Sequence, residues 1–128
     1  MTKLKPRKPT DAEMAILRVL WQRGPSTVRE IFEEMGANGG YTTVLKFLQI
    51  MTGKGLVLRQ EAGRSHIYSA KEPAEKTQKH LTRDLLDRVF GGSSKTLVMQ
   101  ALSVKKASRE DLAEIRQLIE KMERNGNV

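Results

Sequence analysis

Apolar residues recur at helical spacing in three stretches near the start of the chain. Met14, Leu17 and Trp21, with Ile16 and Leu20 on the same side, predict a first helix over about residues 11–23. Ahead of it, Thr10-Asp11-Ala12-Glu13 has the spacing of a capping box, in which a hydroxyl and a carboxylate satisfy amides left free at a helix start, and Gly24-Pro25 ends the run. Ser26-Thr27 reads as extended. Capping spacing from Thr27 to Glu30 then opens a second helix, with Val28, Ile31, Phe32 and Met35 on one face and Gly36 closing it. A third helix is predicted from about Tyr41 to Lys54, with Val44, Phe47, Leu48 and Met51 inward and Thr42, Leu45, Lys46 and Gln49 outward.

The period then changes from helical to two. "LVLRQ" and "SHIYSA" alternate like strands and are separated by Glu61-Ala62-Gly63-Arg64, so they predict a hairpin. Two short helices joined by a glycine-containing turn, the second presenting polar side chains, form a helix-turn-helix pattern, and a hairpin directly after it completes a winged helix. The expected fold is mainly α with a small β-hairpin wing.

Beyond Ala70 the strand signals stop. Leu81, Leu85, Val89 and Phe90 lie along one helical stripe that Gly91-Gly92 breaks, and Leu97, Val98, Ala101 and Leu102 form a second run. Ser108, a cap with Asp111 three residues on, opens a third, carrying Leu112, Ile115, Ile119 and Met122 at near-heptad spacing. So short a segment cannot bury three apolar stripes on itself, which predicts that these residues form a homodimer interface. The organisation expected is a basic, structureless arm over residues 1–9, a winged-helix domain over 10–70 and a three-helix dimerisation domain over 71–128.

Composition narrows the chemistry. In 128 residues, 23 Lys+Arg against 15 Asp+Glu leave a net charge of +8, the electrostatic footprint of a protein that meets a polyanion. The excess is +5 over residues 1–70 and +3 over residues 71–128, so it is larger in the expected reader half. The absence of cysteine excludes disulfides, thiol catalysis and thiolate metal sites. "MTKLKPRKP" is basic but is followed by no signal-peptide core, and no stretch approaches the roughly 20 apolar residues of a membrane span. A cytosolic protein without direct membrane insertion is expected.

Duplex DNA offers phosphates and, in the major groove, base edges within reach of a helix. On the third helix, Lys46 can bond guanine or a phosphate, Thr42 and Thr43 can bond phosphates or bases, Leu45 can pack on a thymine methyl, and Gln49 can pair with adenine. Arg59 and Arg64 are expected on or near the wing tip, where they can track the backbone. The basic arm can reach phosphates or serve as a solubilising tail. Two other readings stay open: a non-specific architectural nucleic-acid binder, and a basic helical module that meets an acidic protein. Catalysis finds little support, because Ser65 and His66 are strand neighbours that point to opposite faces. His66 and His80, with no cysteine and no acidic cluster at ligand spacing, make a weak metal case, and "GANGG" lacks the lysine and spacing of a phosphate loop. No cofactor is expected.

"TDAEMAILRVLWQRGPSTVREIFEEM", "GYTTVLKFLQIMTGKGLV" and "GRSHIYSA" closely resemble the penicillinase-repressor family of bacterial transcriptional regulators, over residues 10 to about 124. The resemblance implies a winged-helix reader, a helical dimerisation domain, and repression by a homodimer on inverted-repeat operators. It places DNA contacts on Thr42, Thr43 and Lys46. Copper-responsive members carry a cysteine-rich C-terminal motif that this chain lacks. The β-lactam-responsive members are cut at an Asn-Phe bond in the dimerisation domain; "LVMQALS" stands at the similar position here, with Gln100-Ala101 as the candidate bond. Release by a membrane-anchored sensor protease cutting within residues 96–104 is the corresponding expectation.

Overall fold

Both predicted capping boxes form. In a computed structural model of the chain, which describes residues 8–37 and 39–126, Thr10 Oγ1 accepts the Glu13 amide at 3.2 Å and Glu13 Oε1 accepts the Thr10 amide at 3.0 Å. Helix α1 (Asp11–Arg23) follows. Thr27 and Glu30 repeat the arrangement at 3.2 and 2.9 Å at the start of α2 (Val28–Glu34). Each box satisfies two amides that a helix start leaves unpaired, which fixes where the helix begins. Of the expected basic arm, only Lys8 and Pro9 fall within the described residues.

Helix α3 (Tyr41–Lys54) ends on Gly55 in the left-handed region at φ 80, which L side chains resist. There the Leu56 amide donates to the Met51 carbonyl at 2.9 Å and the Gly55 amide to Thr52 at 3.2 Å, closing the helix and turning the chain into β1 (Val57–Ala62). β1 pairs antiparallel with β2 (Ser65–Ala70), from Val57 opposite Ala70 to Ala62 opposite Ser65. This corrects the expected hairpin. The strand runs through Glu61 and Ala62, and the turn is only Gly63-Arg64, because Gly63 at φ 64 supplies the positive dihedral a two-residue turn needs. Ser26, between α1 and α2, adds a third short edge: its amide donates to the Tyr68 carbonyl at 2.9 Å, and its carbonyl accepts from the Tyr68 amide at 2.8 Å.

The core lies where these elements meet. α1 supplies Ile16, Leu17, Val19 and Leu20; α2 supplies Val28 and Ile31; α3 supplies Val44, Leu48 and Met51; the wing closes it with Val57 and Tyr68. Full burial of each large aliphatic chain stabilises by about 1.5–3 kcal/mol, so this small cluster accounts for the ordering of the winged helix. Trp21 ties in the chain that leaves the wing, its indole N–H donating to the Glu72 carbonyl at 2.9 Å.

Three further helices follow: α4 (Ala74–Arg88), α5 (Ser94–Val104) and α6 (Arg109–Arg124). The α4 helix stops before Val89 and Phe90, which the sequence pattern had placed within it. The chain divides into two compact units inside α4, between Thr82 and Arg83, whereas the strand-to-helix change near residue 71 was the expected boundary. The second unit, taken by itself, has no buried residue among those described. Leu85, Val89, Val98, Leu112, Ile119 and Met122 are each more than 40 % exposed, while Leu97, Leu102 and Ile115 are half-buried and Ala101 is exposed. In the first unit, Leu81 is half-buried.

Candidate nucleic-acid interface

The first two helix starts are filled and the third is open. α1 and α2 carry acidic residues in their first turns and side-chain caps, whereas α3 starts on Gly40 with no side-chain cap and no acid in its first turn. The positive end of its dipole therefore meets no carboxylate of its own. Thr42 and Thr43 surround this opening: a Cβ added at Gly40 would lie 3.6 Å from the Thr42 hydroxyl and 3.5 Å from that of Thr43.

Along the rest of α3, Lys46, Gln49 and Ile50 are exposed with the two threonines. Leu45 is a correction. Expected outward, it is half-buried and packs against the core, because it borders the Val44 and Leu48 face. Ile50, at 43 % exposure, is the apolar residue actually presented one turn after Lys46. It fell outside the sequence reading because at 100° per residue it lies on the border of the stripe.

In the wing, Arg64 occupies the turn itself, while Arg59, expected on or near the tip, pairs with Tyr68 down the strand. The longer ladder through Ala62 moves the tip away from it. Lys46, Arg59 and Arg64 form no ion pair among the described residues. His66 is exposed opposite Glu61, and His80 is exposed on α4.

Three side-chain linkages join α1, α2 and α3, and none had a local signature in sequence. Lys54, in the last turn of α3, reaches the buried Glu13 carboxylate at 2.7 Å, joining the end of α3 to the start of α1 across 41 positions. Burial pushes the Glu13 carboxyl up, but the Lys54 ammonium and the Thr10 amide outweigh it and hold it below the ordinary value. Arg23 at the end of α1 grips Glu30 at 3.0 Å and Glu34 at 3.6 Å on α2. The Thr27 amide, and then Arg23, lower the Glu30 carboxyl. At the joint between α2 and α3, Phe32 meets Tyr41 edge-on at 5.9 Å, and the Arg29 guanidinium lies over the Tyr41 ring at 5.2 Å.

Residues 9–121 match the model of the family described as Penicillinase repressor. The chain belongs to that family. It is 21 % identical over 113 residues to the penicillinase repressor of Bacillus licheniformis, covering 87 % of this chain and 88 % of the relative. It is 40 % identical over 62 residues to the transcriptional regulator BlaI of Mycobacterium tuberculosis, a match that spans 46 % of this chain and 45 % of that one. Among solved structures, the Thermotoga maritima transcriptional regulator Tm0710 superposes with a TM-score of 0.52 at 19 % identity, covering 93 % of this chain and 80 % of that one. YusO of Bacillus subtilis gives 0.51 at 19 % identity, over 91 % and 75 %. At that identity the structural likeness speaks for the winged-helix fold alone. Membership carries the function class: the family consists of DNA-binding transcriptional repressors and not of enzymes. Among the described residues, no helix is long and apolar enough to cross a membrane and no cluster is arranged to hold a metal.

Proposed function

We propose that this chain is a cytosolic homodimeric repressor that binds an inverted-repeat operator, each protomer laying α3 in a major groove and its wing along the adjoining phosphates. The observation that carries this is the open, acid-free start of α3 with Thr42, Thr43, Lys46 and Gln49 exposed behind it. Backbone amides and the two hydroxyls suit a phosphate, and Lys46 and Gln49 suit base edges deeper in the groove. The apolar contact with a thymine methyl, first given to Leu45, passes to Ile50. Arg64 in the turn takes a backbone phosphate, and Arg59 lies within reach only of DNA that follows the strand.

Homodimerisation is supported by the second unit, whose apolar stripes have no core of their own to enter. In α6, Leu112, Ile115, Ile119 and Met122 recur at three- and four-residue steps, the pattern of a helix that packs on another helix. Leu81, Leu85 and Val89, together with Leu97, Val98, Ala101 and Leu102, add to the same interface. Pairing two readers doubles the contacts on a dyad-symmetric site without a new recognition surface.

Release by a membrane-anchored sensor protease within residues 96–104 is the second part of the reading. Gln100 and Ala101 lie inside α5, so the bond must unwind locally before a protease can hold it extended. Selection of genomic fragments on the purified protein, followed by sequencing, tests the operator. A shared dyad with half-sites about one helical turn apart is the expected outcome; fragments without any common dyad would refute it. Intact chains recovered from derepressed cells would refute proteolysis.

A further inference from the structure

Arg29 and Tyr41 are not used by the contacts above, yet they sit beside the start of α3. The Arg29 side chain is 67 % exposed on α2, and its guanidinium lies over the Tyr41 ring, 5.2 Å from the centroid. Tyr41, the first residue of α3, is in turn braced edge-on by Phe32, which packs against the core. An arginine on an open helix face ordinarily samples many rotamers, and ordering it on a ligand costs entropy. Stacked on a ring that the core holds still, it is ordered beforehand. The cation–π contact with the ring leaves guanidinium N–H groups available for a two-point grip on phosphate oxygens.

We infer that Arg29, positioned by Tyr41, is a phosphate clamp at the rim of the groove that α3 enters, an inference that rests on the DNA-binding reading. The first helix of a helix-turn-helix crosses the DNA backbone while the second enters the groove, and Arg29 stands on the first helix beside the entry point of the second. The opposing group is Glu33, whose carboxylate is 3.9 Å from the guanidinium and is itself exposed. That contact is long enough for a phosphate to displace it. Glu30, one residue from Arg29, is already engaged by Arg23 and the Thr27 amide.

Binding of the full-length protein to a genome-selected duplex and to a random duplex, measured across salt concentrations, tests the clamp. Arg29→Gln removes one phosphate contact from each protomer, so it should weaken both duplexes by a similar factor and reduce the slope of log K against log salt by about 1.8 per bound dimer, which at 0.1 M salt is roughly a sixtyfold loss. Tyr41→Phe keeps the ring and should bind like the parent. Tyr41→Leu should reproduce most of the Arg29→Gln loss, and the double variant should lose less than a further factor of about two, because the two residues act as one unit. Glu33→Gln should tighten both duplexes. An unchanged slope in Arg29→Gln, or losses that multiply fully in the double variant, would overturn the clamp while leaving DNA binding intact. Failure of the parent protein on every duplex would instead overturn the DNA reading and the clamp with it.

Discussion

Lys54→Met isolates the contribution of the buried Glu13–Lys54 ion pair to the placement of α3. The substitution retains most of the aliphatic stem and removes the ammonium 2.7 Å from Glu13. The Glu13 side chain is only 3 % exposed and Lys54 16 %, so the carboxylate left behind cannot recover its hydration. Removing one partner of a buried pair costs about 3–5 kcal/mol. The Thr10 amide still donates to Glu13, which puts the expected loss near the lower end, about 3 kcal/mol at neutral pH. Glu13→Gln added to Lys54→Met removes the stranded charge and should restore part of that loss.

The pH dependence follows from the sign of the shift. The folded-state carboxyl of Glu13 is held below its ordinary value, so its contribution to stability is present above the ordinary carboxylate range and is lost as pH falls through the lowered value. Without Lys54, burial pushes that carboxyl up, and protonation relieves the variant. The gap between parent and variant should therefore be widest near pH 7 and narrow toward pH 4. Urea unfolding at fixed protomer concentration measures both. A loss below about 1 kcal/mol at pH 7, or a gap independent of pH, would refute the buried-pair account.

Two further outcomes concern the interface and the assembly. Lys46→Ala should weaken operator binding by about 1–3 kcal/mol with little effect on random duplex if it reads a base, whereas Arg64→Ala should weaken all duplexes alike and lower the salt slope; competition titrations compare the two. Ile119→Glu places a carboxylate in the α6 stripe of both protomers, and the dimer dissociation constant from sedimentation equilibrium should rise by at least ~100-fold, since each buried unpaired charge costs several kcal/mol.

Much of the winged helix is written locally. The capping boxes at Thr10 and Thr27 and the glycines at 24 and 55 mark the ends of α1 and α3 and the start of α2, because caps act over a few residues. The hairpin was legible in its alternation, but its turn was not, since "EAGR" accommodates either a four-residue or a two-residue link until the ladder through Ala62 chooses. Leu45 was expected outward and Ile50 was given no side, for a different reason: both border the apolar stripe, and only packing in the folded domain decides which is covered. The Glu13–Lys54 pair, the Arg23 bridge to α2 and the Arg29–Tyr41 stack join distant segments, and a single sequence has no pattern for such pairs. In the second unit the apolar stripes were legible, and their exposure supports the proposal that a second copy covers them.

The claim at the centre of this account is that two copies of this chain read one dyad-symmetric DNA sequence. Competition between a genome-selected operator and random duplex, with the bound stoichiometry read by sedimentation, tests it most directly. The expected result is two protomers per operator and a specificity ratio of ~10³ or more at physiological salt. A ratio near unity, with binding that follows duplex length alone, would contradict it and leave a non-specific architectural binder.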